Sequence, residues 1–350
     1  MNFASDNAGP AHPAVWAAMA EADRGVAAPY GADPLTQEVV GRLQELFGVP
    51  DAAVALVSVG TAANALALAC LCPPWGRTLC PDVAHVEWDE CGAPEAFIGG
   101  GKLVLVPSRG GKITPDDLRA AIAAAPHGVH YGKLAAVTIS NLSEMGRAWT
   151  PDEVGALAEV AHGAGLALHM DGARFSNGVA AVGCSAAEMF AAGLDALCFG
   201  GTKNGLPGVE AVILRDGGLQ EELEFRRKRA GHLVSKHRYL AAQVTAYLDD
   251  DLWLANARAA NAAAARLAEG LRAAGVEITE QVDGNQIFAR MPRRLHAELM
   301  AAGASYYLWP DAPVDGDPGE MLGCRMVCNW ATEDAEIDAL LGAVATVRAA

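Results

Sequence analysis

Lys203 lies in Leu197-Cys-Phe-Gly-Gly-Thr-Lys203-Asn-Gly205, just after an apolar run and between glycines, and Asp171 closes an earlier run in His169-Met-Asp171-Gly-Ala-Arg174. A lysine amine can form a Schiff base with an aldehyde cofactor, and a carboxylate can keep the ring nitrogen of pyridoxal phosphate (PLP) protonated. Taken singly, Asp171 reads as a turn cap and Lys203 as a solvated loop lysine. Taken jointly, with Gly200, Gly201 and Thr202 leaving room for a flat ring, they point to a PLP enzyme. Val57-Ser-Val-Gly60-Thr61-Ala62 leads from a strand into a helix, so the Gly60 and Thr61 amides and the Thr61 hydroxyl would face an anion. The pair is also an ordinary helix entry; ahead of Lys203 it becomes a seat for the cofactor phosphate.

These residues need strands that bring them to one edge. Leu166 to Met170 and Asp195 to Phe199 are short apolar runs bounded by Gly165, Gly193 and Gly200, the pattern of buried parallel strands, whose carboxyl ends collect ligands in open α/β sheets. From Ala53 to Leu214 strand and helix alternate. Ala53 to Val57, Leu103 to Val106 and Leu134 to Ser140 read as further strands, and Thr114-Pro-Asp and Thr150-Pro-Asp-Glu as capped helix starts. A mainly parallel sheet follows from that alternation. Ala211 to Leu214 reads as one more strand, at an edge, and Glu221 to Tyr247 as a long charged helical region before a helix over Trp253 to Ala274. Strands near Val276, Gln286, Tyr306 and Gly323, interleaved with helices near Arg293 and Glu333, then make a small α+β unit.

Composition narrows the function classes. A chain of 350 residues suggests a large domain plus a smaller one, here 1–250 with the amino-terminal segment and 251–350. A net charge of −16 argues against nucleic acid and anionic membranes as partners, since neutralising phosphates needs a basic surface. No apolar run approaches the about 20 residues that span a bilayer, and the amino terminus lacks a basic-then-hydrophobic leader, so a cytoplasmic protein is expected. The eight cysteines contain no Cys-x-x-Cys pair, and Cys80, His85 and Cys91 match no common zinc spacing. Free thiols and no metal are expected.

The chain resembles the threonine aldolases of the β-eliminating lyase group almost end to end. The resemblance is carried by Phe3-Ala-Ser5-Asp6-Asn7, Tyr30-Gly-Ala-Asp33-Pro34, Gly60-Thr-Ala-Ala-Asn64, His85-Val-Glu-Trp-Asp-Glu90-Cys-Gly-Ala-Pro-Glu95, His169-Met-Asp-Gly-Ala-Arg174 and Phe199-Gly-Gly-Thr-Lys-Asn-Gly205. It implies the aspartate-aminotransferase fold type I of PLP enzymes: a large α/β domain with a mainly parallel sheet and a small α+β carboxy-terminal domain. It also implies retro-aldol cleavage of L-threonine, L-allo-threonine and related β-hydroxy-α-amino acids to glycine and an aldehyde. By matching position, Lys203 bonds the cofactor, His85 stacks on its ring, and His85 or His130 takes the β-hydroxyl proton. Gly60, Thr61, Asp171 and Arg174 contact the cofactor. Ser5, Arg174, Arg325 and Tyr30 serve the substrate, with Arg325 clamping its carboxylate by the guanidinium fork. Tyr30 and Asp33 resemble a segment lent across a dimer interface, and Lys228, Lys236 and Arg238 resemble basic residues that reach a neighbour's phosphate. A homo-oligomer, a dimer of dimers with sites at the interface, is implied.

One departure stands out. Val59 occupies a position where relatives carry a hydroxyl, leaving the phosphate to the amides. Fold and lysine do not fix reaction type, so β-elimination, transamination, a phenylserine-preferring aldolase and a PLP-binding protein without turnover stay open. An aldolase needs a base near the β-hydroxyl, which the histidines would supply.

Overall fold

The computed structural model describes residues 1–349. Seven strands form the first sheet: β1 (Ala53–Val57), β2 (Gly76–Pro81), β3 (Lys102–Val106), β4 (Lys133–Ser140), β5 (Ala167–Gly172), β6 (Ala196–Gly200) and β7 (Glu210–Leu214). Their spatial order is β1-β7-β6-β5-β4-β2-β3. The pairs from β6 through β3 are parallel, and β7 runs antiparallel to both β6 and β1. The last strand is therefore interior, not an edge, and all five of its residues are buried.

β1 and β6 are buried along their whole length and β5 in all but half-buried Ala167, because helices cover both faces as βαβ crossovers require. The Thr114 and Thr150 starts each form a reciprocal capping box with Asp117 and Glu153. The charged stretch after β7 is two helices rather than one, Gln220–Arg229 and Arg238–Leu248, with Gly231 at φ 79° in the break between them.

The second sheet is antiparallel: β8 (Glu277–Ile278), β9 (Gln286–Pro292), β10 (Tyr307–Leu308) and β11 (Met321–Val327), in the order β10-β11-β9-β8. It has its own apolar core, which takes in Leu295, Leu340 and, from the far end of the chain, Phe3. The amino-terminal segment reaches it through an Asn2–Ser305 bridge and a hydrogen bond from Val327 N to Phe3 O of 2.8 Å. Helix Leu252–Ala273 joins the two cores, with Trp253 in the first and Leu267 and Leu271 in the second. No helix among the described residues is long and apolar enough to cross a membrane.

Candidate active site

Lys203 leaves the carboxyl end of β6 through a single helical turn, Thr202–Asn204. Two glycines permit the geometry: a Cβ on Gly200 would lie 2.7 Å from Ala173 Cα and Gly172 O, and Gly205 holds φ at 100°. Asn204 pins the turn from below, its Nδ2 donating to Tyr247 OH at 2.6 Å and Trp253 O at 2.8 Å. One strand over, Asp171 near the end of β5 accepts from Ala173 N at 2.9 Å and from Asn64 Nδ2 at 2.9 Å. Asn64 Nδ2 also donates to Glu90 Oε1 at 2.8 Å, and the same oxygen accepts from His85 Nδ1 at 2.8 Å. His85, Glu90, Asn64 and Asp171 thus form one connected chain of hydrogen bonds.

The charges in this chain are tuned by burial and by one another. Burial would raise the Asp171 carboxyl, but facing His85 and Lys203 it is held below its ordinary value. For His85 burial opposes charging, and the hydrogen bond to Glu90 with the fields of Asp171 and Glu144 overcomes it, raising the imidazole. Burial raises Glu90, against its bond to His85. Beneath them His169, wholly enclosed, is driven down to about 4 and bonds Thr138 Oγ1 at 2.8 Å as a packed core group.

Two adjoining cavities share Lys203, His85, Asn7 and Asp89. The inner one, about 310 Å³, is lined by Gly60, Thr61, Asn64, Glu90, Asp171, Thr202 and Glu210. Gly60 and Thr61 open helix Gly60–Leu71, which no side chain caps at Val59. The outer one, about 680 Å³, adds Ser5, Asp82, Val83, Trp88, Glu144, Arg174, Tyr307, Trp309 and Arg325. The inner cavity fits the cofactor anticipated from the sequence. It offers an open helix N-terminus for a phosphate, an ionised carboxylate and an amine, and beside them Glu90 Oε2 and Asn64 Oδ1 are buried without a partner among the described residues. A separate hollow of about 750 Å³ around Phe97, Phe225 and Arg226 gathers none of these groups.

The two cavity arginines differ in their freedom. Arg174 is locked bidentate on buried Asp6, Nε to Oδ2 at 2.7 Å and Nη2 to Oδ1 at 3.0 Å, and Asn285 Nδ2 donates to the same Asp6 at 3.0 Å. Arg325 on β11 has no ion pair, its Nε lacks a partner among the described residues, and its guanidinium lies over the Tyr307 and Trp309 rings at 5.6 and 5.2 Å. Ser5 caps the turn Asp6–Ala8, accepting from Asn7 N at 3.2 Å.

Four expected residues stay outside. His130 is exposed in the turn that enters β4 at its amino end, whereas Lys203, His85 and Asp171 meet at the carboxyl ends; eight strand residues correspond to about 26 Å. Within one chain, His130 therefore lies away from the Lys203 cavity. Tyr30, Lys228 and Lys236 are exposed and line neither cavity; Lys228 Nζ rests 5.0 Å from the centre of the Tyr30 ring. Asn64, Glu90 and Glu210 lay within or beside the quoted motifs, but nothing in their spacing showed whom they would meet.

Residues 2–293 match the model of the β-eliminating lyase family. The chain belongs to this family. Among curated relatives it is similar to a low specificity L-threonine aldolase of Pseudomonas aeruginosa, 43% identical over 95% of this chain and 93% of that one, and to another from a Pseudomonas species, 40% identical over 99% and 98%. Among solved structures a Leishmania major threonine aldolase superposes with a TM-score of 0.92, at 27% identity, covering 99% of both chains. A Sphingomonas wittichii serine palmitoyltransferase, TM-score 0.73 at 18% identity, covering all of this chain and 87% of that one, shares the fold.

Proposed function

We propose that this β-eliminating lyase family member is a PLP-dependent aldehyde-lyase that splits L-threonine, L-allo-threonine and related β-hydroxy-α-amino acids into glycine and an aldehyde. The observation that carries the reading is the placement of His85, backed by Glu90, on the wall of the Lys203 cavity. Its support from outside is the aldolase names of relatives at 40 to 43% identity over nearly the whole chain.

Pyridoxal phosphate, when bound, supplies an electron sink for the pair released by the breaking bond. Lys203 would hold its aldehyde carbon, Asp171 its ring nitrogen, and the Gly60 and Thr61 amides its phosphate. Arg325, the unpaired guanidinium of the cavity, grips the substrate carboxylate in a two-point fork and so fixes which bond at Cα faces the ring. Ser5 stands at the same wall. Arg174, held bidentate on Asp6, stiffens that wall and leaves its other N–H donors on the cavity side. His85 Nδ1 is engaged by Glu90, which leaves Nε2 to accept the β-hydroxyl proton. With His130 remote in the chain, His85 is the base.

The exposed Lys228 and Lys236 suit a second subunit's phosphate and the exposed Tyr30 its substrate, which makes a homodimer, or a dimer of such dimers, the working assembly. We place the division between the large and small domains at residues 1–250 and 251–350, where helix Leu252–Ala273 passes from one core to the other. An acidic, cytoplasmic enzyme without nucleic-acid partners is the corresponding setting. Trp88, Tyr307 and Trp309 on the outer cavity favour an aryl side chain at the β carbon beside the methyl of threonine.

The test is a product assay with L-threonine, L-allo-threonine and L-phenylserine. Glycine and aldehyde in equal amounts support the aldolase, with phenylserine cleaved at the highest kcat/KM. Formation of 2-oxobutyrate from L-threonine in place of glycine would instead assign β-elimination.

A further inference from the structure

Glu210 is a buried carboxylate on the inner cavity that the mechanism above leaves unused. It opens β7, where the register pairs it with Gly200 at the end of β6 on one side and with Val57 at the end of β1 on the other. It therefore sits between the strand that delivers Lys203 and the strand that delivers Gly60 and Thr61, and lines the inner cavity with all three. Its side chain points at main chain: Oε2 accepts from Gly201 N at 2.9 Å and Oε1 from Thr202 N at 3.4 Å, the two amides immediately before the lysine.

Resting on the reading that pyridoxal phosphate bonds Lys203, we propose that Glu210 is a positioning residue for that lysine, a carboxylate clamp on the Gly201 and Thr202 amides that holds the Lys203 turn in the shape that meets the cofactor aldehyde. The physical case is that these two amides lie past the β6–β7 ladder, whose last pair is Gly200 with Glu210. β6 has ended, the chain turns under a 3-10 bend, and amide hydrogens at such a bend need an acceptor from elsewhere. A carboxylate offers two, and bonds to an ionised acceptor are stronger than those to a neutral one.

The clamp is costly to ionise, and that makes it visible. Burial pushes Glu210 up to about 7, against the pull of Thr202, the Gly201 amide and Lys203. Tyr247 and Cys198, the other titratable groups that sense it, are both driven up by burial and stay neutral in this range. As the carboxyl takes a proton it loses one acceptor, so the clamp loosens as pH falls through neutrality.

The experiment follows the visible absorbance that appears when apo protein is mixed with pyridoxal phosphate and the lysine condenses with the aldehyde, losing water. Pyridoxine phosphate, which has no aldehyde, reports separately on the phosphate and ring seat. Above neutrality, Glu210→Ala should bind pyridoxine phosphate like the wild type and condense with pyridoxal phosphate about tenfold more slowly, the loss expected for removing a charge-assisted acceptor. Wild type should slow more steeply than Glu210→Gln as pH falls through about 7, since lysine attack needs the free amine in both proteins, and Glu210→Gln, which keeps one acceptor and cannot titrate, should condense faster than the alanine variant. Wild-type condensation in Glu210→Ala, equal loss of pyridoxine phosphate binding, or a wild-type slope in Glu210→Gln would each overturn the proposal. If Glu210→Ala does not fold, the Glu210→Gln slope decides alone. Failure of the wild-type protein to condense at all would overturn the underlying cofactor reading instead.

Discussion

Glu90 Oε1 meets His85 Nδ1 at 2.8 Å inside the cavity wall, and the same oxygen is tied through Asn64 to Asp171. The arrangement fixes which face of the imidazole the substrate sees and makes the ring more basic. His85 must be neutral to accept a proton, and it is raised above its ordinary 6.5. Activity should therefore fall as pH drops through a value above 6.5. Glu90→Gln removes the largest of the causes that raise the ring, so the acid limb should move to lower pH while kcat drops about tenfold as orientation is lost. A pH–rate profile of the variant checks this; an unmoved limb would contradict the pairing.

Arg325 is held by aromatic faces and, among the described residues, has no carboxylate in ion-pair distance, as a substrate clamp should be. Arg325→Lys keeps the charge and loses the fork. We expect KM for L-threonine to rise about tenfold to hundredfold with a smaller change in kcat. Steady-state kinetics on both parameters distinguish a lost clamp from general damage, which would lower kcat first.

The Asp6–Arg174 pair ties the amino-terminal segment to the large sheet, and Asn285 ties it to the small one. Asp6→Asn strands a buried guanidinium and should cost about 3 to 5 kcal/mol in denaturant unfolding. Burial alone would raise Asp6, but Arg174 and Lys203 hold it below its ordinary 3.8. Its stabilisation is thus present above that value and lost as pH falls through the lowered one. The variant should show a flatter acid limb of stability than the wild type.

Much of the site was legible because its residues are contiguous with signals that periodicity can see. Lys203 and Asp171 follow short apolar runs that end in glycine, and such runs in an alternating chain place their ends on one edge. Partnerships across the chain were not legible: Asn64 with Glu90 lies 26 residues apart and Arg174 with Asp6 lies 168 apart, and no local pattern encodes them. β7 is a five-residue buried run like β1 and β6 beside it, so its direction and interior place depend on pairing alone. β2 carries Gly76, Arg77 and Pro81, residues that weaken a strand pattern. His130 precedes β4 and so sits at its amino end, the edge opposite Lys203 and Asp171.

The central claim is that Lys203 anchors carbon–carbon cleavage. Glycine and aldehyde released from L-threonine by the purified protein with pyridoxal phosphate, measured beside Lys203→Ala, tests it most directly. Equal yields from the wild type and a loss of roughly a thousandfold or more in the variant are predicted, as for removal of the group that holds the reacting cofactor. Cleavage at the wild-type rate by Lys203→Ala would contradict it.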